Sequence, residues 1–166
     1  MITYKLFWDD FCAWYLEMIK PSYTEGVQPV IDKSTYDATI GFFESLLKTL
    51  HPFMPFITEE LWHEVKERKE KDCIITAQWP KTKTFDKNML ASFEQSRNVI
   101  TSIRGLRQEK NISPKTALDL KVRSTTTLTA QPVIHKLANI TTTASVSTAP
   151  EKSFSLRVIV SDSFLL

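Results

Sequence analysis

The chain is poor in the residues that most soluble enzymes spend on their chemistry. It has only three glycines, too few and too scattered for a loop that cradles phosphate through its backbone. Two cysteines, Cys12 and Cys73, stand 61 positions apart and outside any C-x-x-C pair. They make no disulfide framework and fit a reducing cytosol. Three histidines, His51, His63 and His135, have no metal-ligand spacing to one another or to the cysteines. There is no G-x-S-x-G, no Walker loop and no H-E-x-x-H. No apolar run is long enough for a membrane span, and the N-terminus lacks a signal-peptide pattern. The formal charge of +2 does not announce a nucleic-acid binder, so a basic surface would have to be local. No internal repeat is present.

What the 166 residues do have is apolar periodicity: 42% are hydrophobic and 24% charged, the balance of a chain that packs a core. In "YKLFWDDFCAWYLEMIK", residues 4–20, the positions Tyr4, Phe7, Trp8, Phe11, Cys12, Trp14, Tyr15, Met18 and Ile19 fall within an arc of about 160° on a helix. So wide an arc reaches two neighbouring helices. Pro21 ends it. A second helix is expected from Ser34 or Thr35 to about His51, with a stripe of Ile40, Phe43, Leu46, Leu47 and Leu50. Pro52 biases His51 out of the helical region, while Pro55 suits the first turn of a new helix. "HPFMPF" therefore predicts a tight corner plugged by Phe53, Met54 and Phe56. The third helix turns Ile57, Leu61, Trp62 and Val65 inward and ends in "KERKEKD", read as a solvated run. Phe11, Trp14, Phe43, Leu47, Phe53, Phe56, Leu61 and Trp62 are expected to share one core.

"IITAQWP" reads as a short extended segment, and a fourth helix spans about Asp86 to Lys110. Met89, Phe93, Ile100 and Ile103 line one of its stripes, with Arg107 on the same face and Arg97 and Arg104 on the flank. Beyond "NISP" the texture changes. "TALDLKV" alternates, "PVIHKLANI" is a short helix, and "TTASVST" and "FSLRVIV" are strand-like. The expected fold is mainly α: a helical bundle over 1–111, then a small β-α-β-β unit over 112–166. The chain stops at "SDSFLL" without a closing element, as an excised piece would.

Candidate catalytic residues do not emerge. Asp9 and Asp10 are sequence neighbours and diverge on a helix, and His63 beside Glu59 and Glu60 reads as ordinary helix surface. The aromatics at helical spacing are core residues first, although Tyr4 and Tyr15 have room for an exposed rim. Arg97, Arg104 and Arg107, followed by Lys110 and Lys115, cover about three turns of one helix and its exit. No acidic residue stands between Arg97 and Arg107. Spacing alone leaves two readings open: surface salt bridges, or a fork of guanidinium groups for phosphates and unstacked bases. Under the first, Arg107 braces the bundle against Glu17 or Asp119.

"FWDDFCAWYLEMIKP", "LLKTLHPFMPFITEELW", "WP" after an extended segment and "IRGLRQEKNISP" together resemble the C-terminal anticodon-binding region of the valyl-tRNA synthetases, class I aminoacyl-tRNA synthetases, in the family's order over nearly all of residues 1–160. Isoleucyl and leucyl relatives share the helix–corner–helix but lack "FC-WYLE". The resemblance implies an anticodon-binding helical bundle with a small α/β part. It implies recognition of the anticodon loop and stem of valine tRNA, on behalf of a parent valine–tRNA ligase that uses ATP in the cytoplasm. The signatures "HIGH" and "KMSKS" are absent, so the stretch itself is expected to be non-catalytic, without cofactor or metal. Its expected partners are tRNA and the remainder of a synthetase chain, not DNA or membrane. The expected RNA-binding residues are Arg104 and Arg107, supported by Arg97, Lys110, Lys115 and Tyr15. The competing readings are the anticodon-binding domain of a related isoleucyl- or leucyl-tRNA synthetase, and a helical protein-interaction module that binds no RNA.

Overall fold

A computed structural model describes residues 2–21, 26, 28–82, 84–123, 131–148 and 153–154. The chain divides into two compact units, Met1–Lys83 and Thr84–Leu166. The division falls before the fourth helix rather than after it, so the expected boundary at 111 moves back. The reason is the partner of that helix, given below.

Unit 1 is helical. Its first segment runs without interruption through α1 (Ile2–Lys5), a π-helix (Leu6–Tyr15) and α2 (Leu16–Ile19). The π-helical bonding shows where the Leu16 N–H reaches Phe11 O, five residues back. An aromatic file results: Phe11 lies 5.5 Å from Tyr15, and both Phe7 and Phe11 meet Phe43 at about 6 Å. Asp32 caps α3 (Lys33–Leu50), accepting from Thr35 N at 2.9 Å and from the Ser34 hydroxyl at 2.6 Å.

The corner forms as the prolines dictate, with α3 stopping at Leu50 and α4 (Pro55–Val65) starting on Pro55. What locks it is polar, not aromatic. Thr58, 2% exposed, donates its hydroxyl to Met54 O at 2.7 Å. That hydroxyl has only one proton, so His51 Nδ1, 2.7 Å away, is the donor to it. Phe53 and Phe56 do not plug the corner; they are 76% and 90% exposed. The two prolines shorten the connection so far that their flanking side chains have no interior to enter.

The core of unit 1 gathers Leu47, Trp62 and Ile74, with Phe43, Leu61 and Ala77 packed against them. Phe11 and Leu46 are also buried, and Trp14 is half-buried. Ile74–Thr76 is a single 3₁₀ turn with extended residues on either side, where a short extended segment was expected. The charge run departs further from expectation. Arg68 lies 3.5 Å over the Trp62 ring, pairs with Glu44 and donates its Nε to Trp62 O at 2.8 Å. Trp62 Nε1 in turn donates to Asp72 O at 3.1 Å. One residue of a solvated run thus closes the lid on the core.

Unit 2 opens with α5 (Lys87–Glu109), capped by Asp86, which accepts from the backbone N–H groups of Asn88 and Met89. β1 (Leu118–Arg123) and β2 (Ile140–Val146) are parallel neighbours. Parallel strands need a crossover, and α6 (Gln131–Ala138) lies within it. The register slips once between Leu118 and Leu120. Buried Val99, Ile100, Ile103, Ile134, Ala138 and Ile140 form the apolar interior, and α5 packs on α6. That contact is what places α5 in this unit. The strand expected at "FSLRVIV" lies, after Phe154, outside the described residues. Among the described residues, no helix is long and apolar enough to cross a membrane.

Candidate nucleic-acid interface

The site is built around the end of α5. Asn111 takes the left-handed conformation, φ 54°, just past the helix. Ile112 N then bonds Arg107 O at 2.8 Å, and Asn111 N bonds Gln108 O at 3.2 Å. These are the paired bonds of a Schellman ending, and asparagine tolerates the required φ where most residues do not. The chain turns sharply into Ser113–Thr116, and that turn presents Lys110 and Lys115 to solvent.

Arg107 lies inside this turn. It is 5% exposed, and its two terminal nitrogens donate to four main-chain carbonyls. One bonds Ser113 O at 3.0 Å and Thr116 O at 2.9 Å. The other bonds Ala138 O at 3.0 Å and Asn139 O at 3.1 Å. Arg104 adds Nε and Nη2 bonds to Leu137 O at 3.1 and 2.8 Å. The carbonyls at 137–139 end α6, where a helix has no further N–H groups of its own to offer and its dipole is negative. Two arginines of α5 therefore cap α6, and Arg107 also pins the loop.

This corrects the reading of Arg107 as an RNA contact. A guanidinium spent on four carbonyls beneath the surface does not reach a phosphate. The expected brace was real, but its partners are neither Glu17, which pairs with Lys20, nor Asp119, which accepts from Thr142. Carbonyl partners leave no mark in residue identity, so sequence had no way to name them. The usable signal was Asn139, whose φ of 50° follows a short helix that has no glycine to end it.

The remaining candidates keep different degrees of access. Arg104 is exposed, but its guanidinium is held at Leu137 O. Arg97 is half-buried, 3.4 Å from Glu94. Lys110 is exposed, though less so than Glu109, which lies 2.7 Å away, and it stands 5.7 Å from the Phe154 ring. Lys115 is exposed, and its backbone N–H bonds Ser113 Oγ at 3.3 Å. Tyr15 belongs to unit 1. It shares a hydrogen bond of 3.0 Å with the Thr39 hydroxyl, its ring meets Phe42 edge-on at 5.4 Å, and it lines an apolar groove with Phe11 and Leu46. Its ring is already stacked on Phe11.

Charge divides sharply between the units. Residues 1–83 carry ten Lys and Arg against thirteen Asp and Glu, a net −3, and residues 84–166 carry eleven against six, a net +5. The small total of +2 conceals this division. Among the described residues, no group of three or more His, Cys, Asp or Glu could hold a metal ion.

Residues 1–122 match the family described as the anticodon-binding domain of tRNA ligase. The valine–tRNA ligase of Christiangramia forsetii is 42% identical over 99% of the chain and 19% of its own length. Those of Parabacteroides distasonis and Phocaeicola vulgatus are 45% and 46% identical, over 92% and 95% of the chain and 17% and 18% of their own lengths. The chain spans about a fifth of the length of the valine–tRNA ligases it matches.

Proposed function

The chain belongs to the family of anticodon-binding domains of tRNA ligases, and from that premise we propose that it binds the anticodon arm of valine tRNA within a valine–tRNA ligase. The observation that carries the binding surface is the positive balance of residues 84–166, a unit whose turn exposes Lys110 and Lys115. Phosphate contacts from such cations supply affinity, and bases splayed from a single-stranded loop supply specificity. Arg104 lies at the edge of the same surface. Arg107 acts beneath it, fixing the turn and the end of α6 so that the cations above are held in place. The stretch holds no residues for activating an amino acid. ATP use and valine attachment belong to the rest of the parent enzyme, which works in the cytoplasm. All three relatives named above are valine–tRNA ligases, which favours valine over isoleucine or leucine as the cognate amino acid.

The test is a mobility shift of the chain with valine tRNA, with the same tRNA carrying a mutated anticodon, and with an unrelated tRNA. A preference of at least ten-fold for valine tRNA that vanishes on changing the anticodon is expected. Equal binding to all three would leave only non-specific electrostatics, and binding to none would favour the protein-interaction reading.

A further inference from the structure

The acidic unit exposes a face that RNA does not explain. Phe56, Glu60 and Glu64 stand at i, i+4 and i+8 on α4 and so form one stripe along the helix. Phe56 is 90% exposed, and Ile75, from the 3₁₀ turn, is 76% exposed. These four residues line an open hollow of about 720 Å³, and His51, Pro55, Glu59, His63 and Cys73 complete its wall. Glu59 is occupied within the unit, accepting from Ile74 N at 3.2 Å and pairing with His63. Glu60 and Glu64 are exposed, and no hydrogen bond or ion pair engages either among the described residues. Like charges four residues apart on a helix repel one another. Two strongly exposed apolar side chains, edged by carboxylates that no ion pair engages among the described residues, form a face suited to a partner of mixed apolar and cationic character.

The chemistry of the face selects its occupant. Carboxylates repel a phosphate backbone, which excludes RNA. They complement a protein surface that brings a lysine or arginine beside an apolar side chain. Relatives that the chain covers for 17–19% of their length contain about four-fifths of a chain beyond it. We infer that the Phe56–Glu60–Glu64 stripe seats another segment of the same valine–tRNA ligase chain, one that presents an apolar side chain to Phe56 and Ile75 and a lysine or arginine to Glu60 and Glu64. This rests on the reading of the chain as part of such a ligase.

The test places the photo-crosslinker p-benzoylphenylalanine at position 56 of a full-length valine–tRNA ligase in which this chain replaces the matching stretch. Illumination with and without valine tRNA, followed by peptide mapping, identifies the neighbour. The expected adduct joins position 56 to a peptide outside these 166 residues that contains a lysine or arginine, in equal yield with and without tRNA. Glu60→Gln with Glu64→Gln is expected to lower that yield at least three-fold, while the isolated chain melts no lower than before because the repulsion is gone. An adduct to tRNA, to residues 84–166 or to a second copy overturns the inference. So does a yield no higher than that of the same probe at Lys69. Affinity for tRNA, measured on the same protein, separates the two readings: an intrachain adduct without tRNA binding sinks the RNA reading alone.

Discussion

Arg68 in unit 1 and Arg107 in unit 2 are both almost removed from water, yet their charges are met differently. Arg68 lies on an indole face with a carboxylate, Glu44, at its end. Arg107 meets only main-chain carbonyls. The difference follows the charge balance of each unit. The acidic unit has carboxylates to spend on a buried cation, and Arg68 meets two of them, Glu44 and, at 3.6 Å, Asp72. The basic unit solvates its cation with the negative end of a helix, which adds no anion and leaves the surplus of +5 intact. A binding surface for phosphates is better served by the second arrangement.

Substitutions can break this comparison. The largest effect is expected from Trp62→Ala, which removes a 3% exposed indole and the platform under Arg68. Loss of such a core aromatic costs about 3–5 kcal/mol. Denaturant unfolding followed by tryptophan fluorescence reads it, because Trp8, Trp14 and Trp79 all remain in unit 1. An unchanged midpoint would remove Trp62 from the core.

Arg107→Ala is expected to follow closely, at roughly 3 kcal/mol, since hydrogen bonds from a charged group contribute about 1.5–3 kcal/mol each and do not add fully. Amide exchange should accelerate across α6 and β1. Arg107→Lys should restore little, because one ammonium does not span four carbonyls. The slope of tRNA affinity against salt should stay where it was for whatever fraction remains folded. A shallower slope would return Arg107 to the surface.

A third, smaller loss belongs to the corner. Thr58→Val takes the hydroxyl donor from Met54 O, which keeps only the Thr58 N–H at 3.2 Å, and removes the acceptor from His51, at a cost of about 1–2 kcal/mol. If the melting temperature holds, the prolines alone set the corner.

Lys115→Ala should leave the melting temperature unchanged and reduce the salt slope of tRNA binding by about 0.7, the value for one phosphate contact on a single strand. A lower melting temperature with an unchanged slope would mean that the exposed turn is scaffold.

The smallest effect is expected at Asp32. Its carboxylate is held well below the usual range, chiefly by the Ser34 hydroxyl and then by the Thr35 side chain and N–H. A depressed folded pKa means that Asp32 stabilises α3 above the ordinary carboxylate pKa and loses that contribution as pH falls. Asp32→Ala should therefore melt slightly below the parent at pH 7, with the gap narrowing as pH drops below about 4. A gap that is constant with pH would remove the charge from the cap.

Much of the helical layout was legible in the order of residues. Pro52 and Pro55 mark the corner, Pro21 the end of the first segment, and Asp86 the start of α5, because each acts through its own backbone or the next few amides. The candidate interface was less legible. Arg97, Arg104 and Arg107 look alike in a string of letters, and all three project from one helix. Only the position of α6 makes one of them a brace, and no rule of spacing connects position 107 to carbonyls more than thirty residues away.

By itself, the sequence determined where most helices start and stop, that the stretches around Leu118–Arg123 and Ile140–Val146 are strands, and that 84–166 is basic while 1–83 is acidic. These are local or additive properties of the chain, independent of what packs on what. Only the tertiary structure decided that Arg68 belongs to a core and Arg107 to a helix end. Only it turned Phe53 and Phe56 outward, and only it left Glu60 and Glu64 without a cation among the described residues. Burial and charge compensation depend on which distant segments meet, and a segment's own letters do not specify its neighbours.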